Sequence, residues 1–161
     1  MTSSNSQIID TLIIGSGLAG LSAASRLSAQ GLNVAVIDKG RGVGGRLAAR
    51  RIGDAVFDHG AQFFTARSEQ FKTCVDQWIK SGVAEQWYQS YPGQPNGHPR
   101  YRGVPTMVSI AKHLAKDQTV IQSTRAEHLS HDGHYWTIKL ESQESIVARS
   151  VVITSPVPQT L

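Results

Sequence analysis

The chain has 161 residues, of which 40% are hydrophobic and 17% are charged. This composition is typical of one soluble globular domain, and no apolar run approaches the ~18 residues that a membrane-spanning helix needs. The formal net charge is +4, but the basic residues are scattered, which argues against a nucleic-acid partner. Cys74 is the only cysteine, so no internal disulfide can form and a reducing, cytoplasmic setting is expected.

The amino terminus does not have the pattern of a signal peptide. Residues 1–7, M-T-S-S-N-S-Q, are polar and uncharged, without the basic start and apolar centre of such a segment. We therefore expect a disordered tail over 1–7 and a folded domain over 8–161.

A glycine fingerprint between two apolar runs predicts a strand–helix–strand unit that binds a dinucleotide. The runs cover residues 8–14 and 34–37, and Gly15-x-Gly17-x-x-Gly20 follows the first of them. A helix rich in small residues is expected over about 17–30, with Gly31 as its stop. Both strands should be buried on two faces, as in a parallel sheet.

Each glycine of the fingerprint has a physical role. Gly15 makes a tight turn, Gly17 lets the backbone approach a pyrophosphate, and Gly20 lets helix and strand pack closely. The helix start then presents unpaired N–H groups and a positive dipole end to the phosphates. Asp38 lies 18 residues beyond Gly20, close to the ~20 expected for the acid that holds a ribose hydroxyl.

Two further segments suit close approach to a ligand. Residues 39–46, K-G-R-G-V-G-G-R, can place backbone amides against an anion, with Arg46 as a forked donor. The alternative for this segment is a flexible turn with an exposed arginine. Residues 55–64, A-V-F-D-H-G-A-Q-F-F, indicate a short strand, a turn over 58–60 and a site for a flat ligand. The alternative here is a turn capped by Asp58 with two core phenylalanines.

The middle of the chain predicts two helices and a long irregular segment. A helix is expected over 67–82, with Ser68 as its cap and a buried, inert Cys74 within it, and a second helix over 107–115. Between them, residues 88–105 contain four prolines and three glycines, which exclude a continuous helix or strand. This segment is either a surface excursion or a substrate mouth, the latter lined by Tyr91, Arg100, Tyr101 and Arg102.

The last third predicts an antiparallel meander. Strands are expected over 119–123, 125–129, 134–140 and 146–154, with a hairpin turn at His131-Asp132-Gly133. The turn breaks any helix that would bring His128, His131 and His134 together, so surface histidines are expected instead of a metal site. The order G-x-S-x-G is absent, so no nucleophile elbow is expected either.

Three motifs together resemble the amino-terminal half of the renalase-like flavoproteins, within the flavin amine oxidase superfamily. They are G-S-G-L-A-G, D-K-G-R-G-V-G-G-R and F-D-H-G-A-Q-F-F-T, and the similarity continues to T-S-P-V-P-Q near the end. Gly42 stands where the wider group has the first arginine of its R-x-G-G-R signature, a departure that favours the renalase-like branch. The resemblance implies FAD, not NAD.

The implied fold is a Rossmann-like FAD-binding domain of the α/β class, with a parallel sheet, a βαβ unit and an antiparallel β-meander. On this view residues 8–161 form an incomplete domain with a helix and long loop inserted at 65–105. The substrate domain and the carboxyl-terminal segment of such proteins are missing from it.

The resemblance also assigns roles to residues. Asp38 would hold the adenosine ribose in place of the usual glutamate, beside Lys39, and Ala126 would meet the adenine through its backbone. The other cofactor-binding positions fall into three groups. The pyrophosphate would meet Gly15, Ser16, Gly17, Leu18, Ala19 and Gly20, the diphosphate segment comprises Gly44, Gly45 and Arg46, and Gln62 and Phe63 would lie near the flavin.

The implied function is that of an FAD-dependent oxidoreductase. It would pass a hydride from a reduced substrate, an isomeric form of reduced NAD(P), to the flavin and then pass the electrons to oxygen. Amines are the alternative substrate. A different class is a non-catalytic FAD-binding fragment, or half of a split flavoprotein completed by another chain, which predicts an exposed apolar patch. No catalytic residue, metal or membrane partner is expected, and an NAD-dependent dehydrogenase is disfavoured by the 40–46 segment.

Overall fold

The computed structural model describes residues 8–89 and 97–156. The chain divides into two compact units, which we call the first unit (Met1–Val43 with Asp117–Leu161) and the second unit (Gly44–Lys116). In chain order, the elements are β1 (Ile9–Ile14), α1 (Leu18–Ser28), β2 (Val34–Ile37), a 3₁₀ turn (Gly45–Leu47), β3 (Ala49–Ile52), β4 (Ala55–Asp58), α2 (Glu69–Lys80), β5 (Ala84–Tyr88), β6 (Arg100–Gly103), α3 (Val108–Ala115), β7 (Thr119–Ile121), β8 (Ala126–His131), β9 (Trp136–Leu140) and β10 (Ser145–Ile153).

The first unit contains a six-stranded sheet in the order β7-β2-β1-β10-β9-β8. β7, β2, β1 and β10 are parallel, and β9 and β8 add to them in antiparallel fashion. All four residues of β2 are buried, as are the three central residues of β1. The predicted Rossmann-like architecture is thus confirmed. The antiparallel meander comprises β8, β9 and β10, whereas β7, which was predicted as part of it, pairs in parallel with β2.

Helix α1 is shorter than its expected range of 17–30. Gly17 has extended backbone (ψ 179°) and is the N-cap, so the helix begins at Leu18. At the other end the Gly31 amide donates to the Ser28 carbonyl, and Gly31 has φ +83°, so the chain leaves the helix as predicted. The helix buries Leu21 and Ala24, and Ala24 packs with residues of β1 and β2 on one face of the sheet.

The opposite face of the sheet has its own apolar cluster. Its buried members come from β1, β2, β9 and β10 and are Leu12, Ala35, Ile37, Ile138, Leu140 and Ala148. Ile138 and Leu140 are buried while Lys139 between them is exposed, so the carboxyl half of β9 buries one face.

The hairpin before β9 is longer than expected. The predicted strand began at 134, but Asp132 Oδ1 accepts hydrogen bonds from the amides of His134 and Tyr135, both at 2.8 Å. These bonds hold both residues in the turn, so β9 begins at Trp136. β8 extends to His131, two residues beyond its predicted end.

The prediction that 88–105 is irregular throughout is wrong at both ends. β5 and β6 pair as antiparallel strands, so the segment from Arg100 to Gly103 is a strand. It fits between Pro99 and Pro105, and the prolines therefore bound the strand and do not interrupt it. Tyr91 lies outside the described residues.

An aromatic core holds the second unit together. Phe64, Phe71 and Trp78 have ring centroids 5.8–6.0 Å apart. Helix α2 is capped as predicted, because the Ser68 hydroxyl accepts from the Phe71 amide at 3.3 Å. Cys74 is half-buried and not buried as expected, since it stands at the border of the face that buries Val75 and Trp78.

Asp58 has a different role from the turn cap that the sequence offered as one reading. It ends β4, and its two carboxylate oxygens lie 3.0 and 3.1 Å from the Met107 amide that donates to them. The negative charge thus stands at the start of α3, where it stabilises the helix dipole.

No helix among the described residues is long and apolar enough to cross a membrane.

Candidate cofactor site

The glycine loop after β1 is shaped by contacts within the first unit. Gly15 has φ +112°, and an alanine Cβ there would lie 2.5 Å from Thr154 Oγ1. A Cβ on Gly20 would overlap the Gly15 carbonyl oxygen and lie 2.9 Å from Thr154 Oγ1. The fold itself therefore requires glycine at both positions.

Gly17 differs from these two glycines. A Cβ on it would meet no protein atom within 4 Å, and no side chain caps α1 at this residue. The protein's own packing therefore does not require the missing side chain, and the space above the helix start is open. Helix starts carry partial positive charge and unpaired N–H groups, here in the turn that begins with Leu18 and the exposed Ala19. This open cradle fits the pyrophosphate of a dinucleotide.

Asp38 is held by the glycine loop at the end of β2. Its Oδ2 accepts from the Ser16 amide at 2.6 Å and from the Ser16 hydroxyl at 2.7 Å, while Oδ1 accepts from the Gly40 amide at 2.7 Å. A carboxylate has about four acceptor positions, so one remains on Oδ1. That position suits one ribose hydroxyl. Ser16 is fully buried, and its hydroxyl positions Asp38 through the hydrogen bond to Oδ2.

A chain crossing brings Ala126 toward the same region. The Thr124 amide donates to the Asp38 carbonyl at 2.8 Å, and the Ser123 amide donates to the Gly40 carbonyl at 2.9 Å. Ala126 follows two residues later as the first residue of β8. The structure thus groups the fingerprint, Asp38 and the approach to Ala126 in one unit, with the exposed Lys39 beside them.

Thr154 is the site residue that the sequence analysis did not identify. Its hydroxyl lies 3.1 Å from the Ile14 carbonyl oxygen and 3.2 Å from that of Gly15, and donates to these two acceptors. It follows β10, whose carboxyl end lies beside that of β1 at the edge of the sheet. The sequence predicted Thr154 as the last residue of a strand in the antiparallel meander, and the parallel pairing of that strand with β1 was not predicted. Ligands bind at the carboxyl ends of parallel strands, so that pairing would have been the signal.

In the second unit, the predicted diphosphate segment forms a compact turn. Gly44 and Gly45 have φ of +123° and +53°, and Arg46 is exposed. The Ala61 amide donates to the Arg46 carbonyl at 2.8 Å, and a Cβ on Gly60 would overlap that carbonyl oxygen. These contacts bring Gly44–Arg46 beside the segment that leads to Gln62, which is exposed.

The side chains of Phe63 and Phe64 contact different parts of the second unit. Phe64 enters the aromatic core, where it stacks on Tyr101 at 5.6 Å. Phe63 remains 38% exposed and belongs to what we call the aromatic–arginine surface, formed by Phe63, Trp87, Tyr88, Arg100 and Arg102. The Arg100 guanidinium lies 5.4 Å from the Tyr88 ring centroid and 5.9 Å from that of Phe63. Tyr101 faces the core, so it does not join the two arginines.

Arg102 is fixed by a second contact on this surface. Its guanidinium lies 5.9 Å from the Trp87 ring centroid, and it pairs with Glu85 at 2.7 Å.

His128, His131 and His134 are exposed, and no group of three potential metal ligands occurs in residues 8–89 and 97–156.

Comparisons with known proteins agree with this geometry. Residues 13–78 match the family model of the NAD(P)-binding Rossmann-like domain. A 1-hydroxycarotenoid 3,4-desaturase from Flavobacterium sp. (strain P99-3) is 48% identical over 54 residues, which are 34% of this chain and 11% of that protein. An acetone monooxygenase (methyl acetate-forming) from Gordonia sp. (strain TY-5) is 26% identical over 144 residues, which are 89% of this chain and 25% of that protein.

Solved structures show the same fold at low identity. A putrescine oxidase triple mutant has a TM-score of 0.74 at 14% identity, covering 92% of this chain and 58% of that one. A steroid monooxygenase bound to NADP has a TM-score of 0.60 at 23% identity, covering 92% and 26%. The chain spans a quarter or less of the length of the two sequence relatives, the desaturase and the acetone monooxygenase. The solved structures show a Rossmann-like fold for this chain, and the family model that residues 13–78 match is that of an NAD(P)-binding domain of this fold.

Proposed function

We propose that this chain is the FAD-binding part of an FAD-dependent oxidoreductase of the renalase-like type. The observation that carries the proposal is the open cradle at Gly17, next to a carboxylate with one acceptor position left. Gly15 and Gly20 are explained by protein packing, whereas neither packing nor a positive φ requires glycine at position 17, which leaves room for a ligand at the helix start. Residues 8–161 form, on this proposal, one incomplete FAD-binding domain.

The residues of the chain bind and orient the cofactor. The first turn of α1 receives the pyrophosphate, and Asp38 receives a ribose hydroxyl on Oδ1. Arg46 adds a permanently charged, forked donor to the diphosphate. The backbone at Ala126 meets the adenine, and Gln62 and Phe63 approach the flavin. Bound FAD would supply the hydride-transfer chemistry, with oxygen as the final electron acceptor.

The aromatic–arginine surface supports a reduced dinucleotide isomer as the substrate. Exposed rings such as Phe63 and Trp87 can stack on a flat nicotinamide or adenine ring. Arg100 adds positive charge beside those rings, which suits the phosphates of such a molecule, while the charge of Arg102 is balanced by its ion pair with Glu85. The same positive charge repels a protonated amine, so this surface disfavours the amine oxidase alternative.

A second candidate function comes from exposed apolar residues. Ile52, Val56 and Phe57 of the β3–β4 hairpin are 60%, 42% and 53% exposed. Exposed apolar side chains grouped on one hairpin are typical of an interaction surface. They favour an FAD-binding fragment, or one half of a split flavoprotein, whose activity depends on a complementing chain.

The single Cys74 is consistent with a reducing, cytoplasmic setting.

The absorbance spectrum of the purified chain tests these proposals. A flavin spectrum, present as purified or after FAD is added and excess is removed, is expected. Bleaching by a reduced-nicotinamide isomer, with oxygen restoring the colour, would support the complete activity. A flavin spectrum without bleaching would favour the FAD-binding fragment. A chain that retains no flavin would contradict both.

A further inference from the structure

A groove of about 530 Å³ lies on the second unit and belongs to none of the predicted cofactor contacts. One wall is apolar and consists of Val83, Val104 and Pro105. The Val104 amide donates to the Val83 carbonyl at 3.0 Å, which fixes this wall beyond the ends of β5 and β6. The volume is in the range of small-molecule sites, roughly 300–1,000 Å³.

The rest of the lining is polar and basic. It is formed by Thr106, Ser109, Lys112, His113 and Lys116. Ser109, Lys112 and Lys116 follow the spacing of one helical face, while the other face of α3 buries Ile110 and Ala111. The polar face therefore looks into the groove.

The charges on this wall are of one sign. None of the groove residues is acidic, and within the described part of the chain Lys112, His113 and Lys116 have no ion-pair partner. Lysines at i and i+4, such as Lys112 and the C-cap Lys116, repel each other. Cations at a helix carboxyl end also stabilise its dipole, which offers an explanation without a ligand. That explanation does not account for the apolar residues in the same lining or for the two hydroxyls that accompany the lysines.

We propose that this groove binds a small molecule that carries a phosphate monoester or diphosphate group. Two ammonium groups, an imidazole and two hydroxyls can donate to the several oxygens of a phosphate. The apolar wall can cover the uncharged remainder of the molecule. The groove shares no residue with the proposed FAD contacts, so the proposal stands whether or not the chain binds FAD.

The test is a residue-resolved NMR titration of the 161-residue chain with inorganic pyrophosphate at constant ionic strength. Saturable amide shifts at Thr106, Ser109 and Lys116 are expected. Shifts confined to Gly15–Gly20 would mean that pyrophosphate binds the glycine loop only, and would contradict the proposal. Shifts that never saturate would contradict it too. ADP is titrated separately, because saturation by ADP at the groove with higher affinity would identify a nucleotide as the ligand, and saturation by pyrophosphate alone would identify a smaller phosphate compound.

Charge variants distinguish a built site from general attraction. The Lys112→Gln/Lys116→Gln variant should bind pyrophosphate at the groove more weakly, by up to about tenfold, because two charge-assisted contacts are lost. Lys80→Gln is the matched control, since Lys80 is an exposed lysine in the last turn of α2. It should bind as the unmodified chain does. Equal weakening in Lys80→Gln and the double variant, or none in the double variant, would overturn the proposal.

Discussion

The Ser16 hydroxyl donates a hydrogen bond of 2.7 Å to Oδ2 of Asp38, and the Ser16 amide donates to the same oxygen at 2.6 Å. This pair joins the glycine loop to the end of β2. Ser16 is fully buried, and Asp38 is half-buried. The two parts of the proposed cofactor site are thereby fixed to each other before a ligand arrives, which lowers the ordering cost of binding.

Ser16→Ala should lower both the free energy of unfolding and the affinity for FAD. The change removes a hydrogen bond to a charged acceptor, so we expect a loss of stability of about 1–3 kcal/mol in urea unfolding. Ser22→Ala is the control, because Ser22 is an exposed serine on α1, the helix that follows the loop, and its effect should be within about 0.5 kcal/mol. Equal effects of the two substitutions would show that the Ser16–Asp38 pair does not stabilise the loop.

Thr154→Val should destabilise the glycine loop. The substitution removes the hydroxyl that donates to the Ile14 and Gly15 carbonyls and places a methyl group against Gly15 and Gly20. A loss of about 1–3 kcal/mol in the free energy of unfolding is expected. Thr154→Ser keeps the hydroxyl and should retain more of that stability. If Ser and Val at this position unfold at the same urea concentration, the hydroxyl has no such role.

Arg46→Ala should weaken FAD binding with little effect on the fold. The side chain is exposed, and its backbone carbonyl, which holds the Ala61 amide, is unchanged by the substitution. An FAD titration followed by flavin fluorescence should show that FAD binds more weakly, by up to about tenfold. Arg51→Ala removes an exposed arginine from β3 and should leave the affinity unchanged. Unaltered affinity in Arg46→Ala would remove Arg46 from the site.

Asp132 should give the β8–β9 hairpin a stability that depends on pH. The backbone amides of Tyr135 and His134 hold the pKa of its exposed carboxyl below the ordinary value. A lowered pKa in the folded state means that the charged form adds stability above the unfolded pKa, and that this stability is lost as pH falls through the folded one. The Tm advantage over Asp132→Asn should therefore be present at pH 7 and shrink below about pH 4. The exposed Asp54→Asn is the control, and a gap that is constant with pH would contradict this role.

The sequence predicted the first unit better than the second. Period and glycine spacing located β1, α1 and β2 to within about two residues, because this unit combines local signals with buried strands. β6 could not be found that way. Its four residues lie among prolines, and its pairing with β5 and its bridge to Phe64 depend on contacts distant in sequence.

The same division holds for the candidate site. The glycines and Asp38 follow from spacing, but the partners of Asp38 do not, since the bond from Ser16 spans 22 residues of sequence. Thr154 and Gly15 are 139 residues apart, and their contact appears only when β10 pairs with β1. The opposite directions of Phe63 and Phe64 likewise follow from the strands they meet and not from their own segment.

The most direct measurement of the central claim is a calorimetric FAD titration of the chain and of Gly17→Ala. An alanine Cβ at this position touches nothing in the protein, so the free energy of unfolding without FAD should change by less than about 1 kcal/mol. The same Cβ would enter the space proposed for the pyrophosphate, so FAD affinity should fall by about tenfold or more. Equal affinity in the two proteins, or no FAD binding by the unmodified chain, would contradict the account.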